Sequence, residues 1–224
     1  MINVKNYDLV TPGTLLSDEN GGSYGTYTEE NRVFSKFFGM VQIGSKGISV
    51  NPLSGVYFPE EGDEVVGKVI EVGSKYWVVD IDAPFSTRLD VRDVNFRVDM
   101  GELDKFIDMG DLIYARVSRV YTNRAADLSM RGSVYGKLPS DMIKKIDPVK
   151  LPRLIGKEGN MVNLIKEKTK CDMIIGQNGV VWIDGKDEDA ALASMAVDFV
   201  DKHYSEQDLT EKVMRLFEDV RRKI

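Results

Sequence analysis

The sequence predicts a multidomain chain of β plus α/β class, and three observations carry that expectation. Turn signals without helical periodicity fill residues 1 to about 62, period-two alternation of apolar residues fills 63 to about 132, and helical spacing interleaved with short strands begins after Gly132. With 224 residues and 42% hydrophobic content, the chain can bury two or three small cores.

In the first block, Pro12-Gly13, Asn20-Gly21-Gly22, Gly25, Gly39, Gly44, Gly47, Asn51-Pro52 and Gly55 punctuate short apolar runs such as Phe37-Phe38 and Val41-Gln42-Ile43. That is the pattern of a small glycine-rich β unit. Four basic and seven acidic residues give it a net charge of −3, and its apolar residues are few, so it is expected not to fold alone. The polar, glycine-rich segment Ser17 to Glu30 is expected as a loop that a partner orders.

The second block opens after Pro59-Glu60-Glu61-Gly62-Asp63. Val65 to Val72 leads through Gly73-Ser74 into Tyr76 to Ile81, a hairpin pattern. Ser86 to Val91 is a third strand. Asp111 to Tyr121 is a longer one, with Ile113, Ala115 and Val117 on one face and Tyr114, Arg116 and Ser118 on the other. Asp127 to Met130 is the last. Five short strands in about 70 residues have the size of a five-stranded barrel such as an OB-fold.

The third block mixes α and β. Met142 to Ile146 reads as a strand, and Pro148 and Pro152 as breaks. Met161, Leu164, Ile165 and Lys168 keep helical spacing, Cys171 to Ile175 and Val180 to Ile183 form a hairpin around Asn178-Gly179, and Asp187 to Tyr204 is a helix. Ser205 to Ile224 is a terminal amphipathic helix with Leu209, Val213, Leu216, Phe217 and Val220 in one stripe.

Composition narrows the function. Thirty Lys and Arg against 36 Asp and Glu give a net charge of −6, so any nucleic-acid surface must be local. Between Ser133 and Lys170, nine basic residues stand against four acids, whereas Cys171 to Ile224 has seven against twelve. One cysteine and one histidine exclude a disulfide, a thiolate cage and imidazole-rich metal sites, so no metal or cofactor is expected. No run approaches the roughly 18 apolar residues of a membrane helix, which makes a soluble, cytoplasmic protein the expectation.

The basic stretch coincides with a motif. In Arg153-Leu154-Ile155-Gly156-Lys157-Glu158-Gly159-Asn160-Met161, two glycines three apart join one helical turn to the start of another. Such glycines let backbone approach a sugar-phosphate chain, and the N–H groups of the following helix point at a phosphate. With an apolar segment before it and a helix, hairpin and helix after it, this is the order of a KH domain, whose loop clamps single-stranded nucleic acid. Arg153, Ile155, Gly156, Lys157, Gly159 and Asn160 are therefore candidate RNA contacts. Glu158 departs from the basic character of the strongest loops.

A glycine-rich β unit, an OB-fold and one KH domain, in that order, resemble the RNA-binding cap subunit of the archaeal exosome. Val149 to Met161, Gly176-Gln177-Asn178-Gly179-Val180-Val181-Trp182-Ile183 and Leu9-Val10-Thr11-Pro12-Gly13 carry the resemblance, which covers essentially the whole chain. It implies an N-terminal β domain (1–62) that docks to a ring of phosphorolytic exoribonuclease subunits, an OB-fold RNA-binding domain (63–132), and a KH RNA-binding domain with a terminal helix (133–224). It also implies a non-catalytic role, gathering single-stranded RNA 3′ ends and feeding them into the ring's channel.

Within the barrel, alternation sends Trp77, Val79 and Ile81 inward and leaves Tyr76 and Tyr114 outward as base-stacking candidates. Arg88, Arg92, Arg116, Arg119 and Arg124 are candidates for tracking phosphates. The block also has 13 acids against 10 basic residues, so pairing with carboxylates would account for about half of the arginines. Two rival functions stand beside this one. A transcription elongation or antitermination factor also places such a barrel ahead of KH units, but carries two of them. A stand-alone nuclease could use Asp80 and Asp82, two apart on a strand, to hold metal. His203 near a helix end fits a dipole partner, and Cys171 a small buried apolar residue.

Overall fold

The computed structural model describes residues 2–221 except 20, 53, 99, 100, 140, 141, 205 and 207. Asn20 of the first turn series, one acid of the basic stretch (Asp141) and the Ser205 and Ile224 ends of the terminal helix lie outside the described residues. The chain forms two compact units, Met1–Gly55 and Val56–Ile224.

The first unit holds six strands: β1 (Leu9–Val10), β2 (Leu15–Ser17), β3 (Thr26–Glu29), β4 (Arg32–Ser35), β5 (Gly39–Gly44) and β6 (Gly47–Pro52). They pair as two antiparallel three-stranded sheets, β1-β5-β6 and β2-β4-β3. Its few aliphatics make a small core of Val10, Leu16, Val33, Val41, Ile48 and Val50, each of which comes from a strand and points inward. The segment 17–30, expected as a loop, carries β3 and is held by the Ser23 N–H donating to Ile48 O at 2.9 Å. Phe37 and Phe38 remain 38% and 49% exposed.

In the second unit, β7 (Glu64–Val72), β8 (Tyr76–Asp80), β9 (Thr87–Asp90), β10 (Leu112–Val120) and β11 (Ala126–Ser129) form the barrel. It closes because β11 pairs in parallel with β9 and antiparallel with β10. Val65, Val69, Trp77, Val79, Leu89, Ile113, Ala115, Val117 and Leu128 fill it. Trp77 is fully buried, and its indole N–H donates to Ile107 O at 2.8 Å. Two bulges break the alternation. One, between Val69 and Glu71, exposes both Ile70 and Glu71, and the other, between Val117 and Arg119, exposes both Ser118 and Arg119. A further two-residue strand, β12 (Gly136–Lys137), pairs with β10; it is too short to carry periodicity.

The remainder follows the order β13 (Ile143–Lys145), α1 (Leu151–Ile155), α2 (Asn160–Thr169), β14 (Asp172–Ile175), β15 (Val180–Asp184), α3 (Asp187–Lys202) and α4 (Leu209–Arg221). Its antiparallel sheet runs β13-β15-β14. The helices cover one face, around Leu154, Ile165, Ile183, Ala193, Val197 and Val213. Pro152 opens α1 instead of breaking the chain, because in a first turn its missing N–H costs nothing.

The other face of that sheet rests on the barrel. Val180 and Trp182 pack against Val66, Leu112 and Leu138, with Tyr114, Ile143 and Ile174 at the margin. Each fully buried side chain of this kind contributes about 1.5–3 kcal/mol relative to exposure. Beside this cluster, the turn between β14 and β15 plugs a gap in the barrel. β8 pairs with β7 only from Lys68 onward, so the backbone of Val66 lacks a strand partner on that side. Asn178 supplies one: its Nδ2 donates to Val66 O at 2.8 Å and Ile81 O at 2.9 Å, and its Oδ1 accepts from Val66 N at 3.3 Å. Gln177 bonds both backbone groups of Glu64, its N–H donating to Glu64 O at 2.8 Å and its Oε1 accepting from Glu64 N at 2.7 Å.

Candidate nucleic-acid interface

Both glycines of the loop between α1 and α2 have positive φ, +75° at Gly156 and +80° at Gly159. At Gly156 a Cβ would lie 2.8 Å from both the backbone N and the Cβ of Met161, whereas at Gly159 it would meet only the Asn163 side chain, at 3.4 Å. The first glycine is therefore demanded by packing, and the second by conformation alone. Between them Glu158 adopts φ +54° on an exposed turn, and α2 begins at once at Asn160. At this helix start the Gly159 N–H donates to Gly156 O at 3.3 Å and the Asn160 N–H to Lys157 O, so the loop closes on itself as it enters α2.

Lys157 is exposed and makes no ion pair among the described residues, and Ile155 stands 40% exposed beside it. A cation and an apolar contact side by side suit a single-stranded backbone and its bases. A pocket of about 320 Å³ joins Arg153, Gly156, Lys157 and Asn160 to Asp208 and Leu209 at the start of α4. Arg153 also has a structural role. Its guanidinium donates from Nε to Tyr204 O and from Nη2 to Glu206 O, both at 2.6 Å, so it ties the α3–α4 connection to the loop and leaves only Nη1 uncommitted.

The barrel carries a larger groove, about 640 Å³, lined by Tyr76 and Val78 of β8, Arg88 of β9, and Tyr121, Asn123 and Asp127 around the β10–β11 turn. The Arg88 guanidinium sits 5.7 Å from the Tyr76 ring centre and 3.6 Å from Asp127 Oδ1. Tyr121 donates its hydroxyl to Asp127. An aromatic face, a cation and polar groups thus share one concave surface, suited to stacking a base and holding its phosphate.

The other barrel candidates separate. Tyr114 is not available for stacking: its ring packs at the margin of the cluster beneath β15, 5.3 Å from Tyr135, and its hydroxyl donates to Glu64 Oε2 at 2.6 Å. Alternation places it outward from the barrel, but the sheet beside it covers that face. Arg92 is paired with Asp90 by Nε at 2.9 Å and Nη2 at 3.1 Å, and this holds the Asp90 carboxyl below its usual range. Arg119 is exposed on the bulge, and Arg124 holds φ +68° at the exposed β10–β11 turn; neither lines the groove.

The Asp80 and Asp82 pair does not form a metal site. Asp82 lies beyond the end of β8 at φ +59°, where its N–H donates to Asp80 Oδ1 at 2.8 Å and its carboxylate pairs with Lys145. Among the described residues, no group of three or more His, Cys, Asp or Glu could hold a metal ion, and no helix is long and apolar enough to cross a membrane. His203 ends α3 with its ring stacked on Phe199. Burial pushes the Cys171 thiol up, which keeps it protonated.

Known families match most of the barrel and the KH order. Residues 56–119 match the model of the Rrp4 S1 domain, and 142–189 that of the KH domain. The exosome complex component Rrp4 of Methanothermobacter thermautotrophicus is 37% identical, across 97% of this chain and 70% of its own length. The chain belongs to the Rrp4 family. Rrp4 of Thermococcus kodakarensis is 43% identical over 94% of this chain and 84% of its own, and that of Thermoplasma acidophilum 35% over 95% and 91%. A crystal structure assigned as an exosome complex RNA-binding protein superposes with a TM-score of 0.68 at 31% identity, covering 75% of this chain and 98% of that one. What sequence reasoning missed is Tyr121, Asn123 and Asp127 as groove-lining residues; only their place in a turn between two barrel strands signals them.

Proposed function

We propose that this chain is a non-catalytic RNA-binding cap subunit of a cytoplasmic exosome. It sits on the phosphorolytic exoribonuclease ring and guides single-stranded RNA 3′ ends into the channel. The observation that carries this reading is the extent of the Rrp4 relationship, which spans the N-terminal unit as well as both nucleic-acid modules. In this reading residues 1–62 dock to the ring, with exposed Phe37 and Phe38 as an apolar contact, while 63–132 and 133–224 bind RNA. The contacts are Ile155, Lys157, Gly159 and Asn160 at the KH loop, and Tyr76 and Arg88 in the barrel groove. The Asn178 turn supports the reading by fixing the two surfaces relative to each other, so that one strand can engage both.

The test is to incubate the chain with labelled single-stranded RNA, magnesium and phosphate. A retarded band without shortening is expected, with degradation only when ring subunits are added; shortening by the chain alone overturns the proposal. A chain beginning at Val56 should still retard RNA and no longer co-purify with the ring.

A further inference from the structure

A second polar groove, about 530 Å³, opens on the barrel and shares no lining residue with the Tyr76–Arg88 groove. Its walls include Arg116 and Ser118 of β10, Ser129 of β11, and Arg131, Tyr135 and Glu61. Arg116 lies opposite Ser129 in the antiparallel register, and Arg131 follows two residues later. The two arginines are held differently. Arg131 donates from Nε and Nη2 to Arg92 O at 3.2 and 2.7 Å, with Asp93 at 3.3 Å, which orients its guanidinium and leaves Nη1 uncommitted. Arg116 makes no hydrogen bond or ion pair among the described residues. It passes Gly62 so closely that a Cβ there would lie 3.4 Å from its Nη2.

The acids nearby are already engaged. The Tyr114 and Tyr135 hydroxyls occupy both oxygens of Glu64 and hold its carboxyl below the usual range. Glu61 accepts from Val120 N at 3.2 Å, and Asp93 faces Arg131. The serine hydroxyls are spent on backbone: Ser118 donates to Asp127 O, and Ser129 accepts from Arg131 N. What the groove offers a ligand is therefore two guanidinium groups, one pre-oriented by hydrogen bonds and one held only by its attraction to the Glu64 carboxylate, a pair that suits the forked recognition of a phosphate. Tyr135 lines the groove and also bonds Glu64, whose backbone bonds Gln177 of the KH turn. The groove thus lies beside the junction of barrel and KH domain.

We propose that this groove binds one backbone phosphate of an RNA strand that passes between barrel and KH loop, with Arg116 as the forked donor and Arg131 as its fixed second cation. The proposal rests on the RNA-binding reading above. The test measures the affinity of the full chain for a labelled single-stranded RNA of mixed sequence across a salt series, for wild type, Arg116→Gln, Arg131→Gln, both together, and Arg215→Gln on the exposed face of α4. The double variant should bind about tenfold more weakly at low salt and lose about 0.7 from the log–log salt slope, the value of one phosphate on a single strand. Arg116→Lys should keep the slope while losing part of the affinity, because charge remains and the fork does not. Arg215→Gln should match wild type. A wild-type slope in the double variant, with RNA still bound, overturns the groove and leaves the RNA-binding reading intact. Failure of the wild-type chain to bind RNA at all overturns both.

Discussion

Replacing Asn178 with alanine tests whether barrel and KH domain act as one body. The substitution strands three buried backbone groups, Val66 N–H, Val66 C=O and Ile81 C=O, at positions 0% and 1% exposed. An unsatisfied buried polar group costs about 1–3 kcal/mol; with the lower figure for each, because water can follow the missing amide, the loss is about 3 kcal/mol. For a chain of this size that corresponds to a drop in Tm of roughly 6–12 °C. Scanning calorimetry gives the readout: wild type should show barrel and KH domain melting together, and Asn178→Ala should lower that transition and split it. A variant that melts within about 2 °C of wild type in one transition would refute the reasoning, since the turn would then be a passive contact.

The two loop glycines should behave differently. Gly159→Asp should keep the fold and weaken RNA binding about tenfold by setting a carboxylate against the phosphate, while Gly156→Asp should lower Tm as well, because its Cβ collides with Met161; equal melting of the two variants would contradict this. Glu64 has its pKa lowered first by the Tyr114 hydroxyl and then by that of Tyr135, so its stabilisation is full above the ordinary glutamate value of about 4.3 and is lost as pH falls through the lower folded value. Glu64→Gln should accordingly reduce stability at neutral pH and flatten the acid limb of the stability curve; an unchanged acid limb would exclude that role. Arg153→Ala should speed proteolysis of the α3–α4 connection while leaving the salt slope of RNA binding as it was, and a slope reduced by about 0.7 would place Arg153 among the phosphate ligands.

Strand and helix order was legible wherever one residue class repeats with one period, as in Ile113, Ala115 and Val117 inside the barrel or Leu209, Val213 and Phe217 along α4. Alternation assigns a residue to the inner or outer side of its own barrel, and it has no knowledge of what covers the outer side. Tyr114 is the clear case, outward by pattern yet covered by a sheet that begins thirty residues later in the chain. The structural role of Arg153 was hidden for a related reason, since a basic residue beside a glycine loop looks free until the carbonyls of Tyr204 and Glu206 are brought against it from fifty residues away. The glycine pair was readable because its backbone demand is local. The groove residues Tyr121, Asn123 and Asp127 were not, because they meet Tyr76 and Arg88 only once the barrel has closed.

The Asn178 turn also dictates an order of events during synthesis. Its partner Val66 stands 112 residues earlier, and closing a loop of that length costs roughly 4 kcal/mol in chain entropy before any contact repays it. Nothing later than Met130 is needed for the barrel's five strands, so they can assemble first, with one short stretch of β7 left unpaired. At about 5–20 residues per second, translation needs roughly 2–10 s to deliver Asn178 after Met130 has been made. Throughout that interval the nascent barrel carries an open strand edge, which a side-chain amide closes by taking the place of a missing strand.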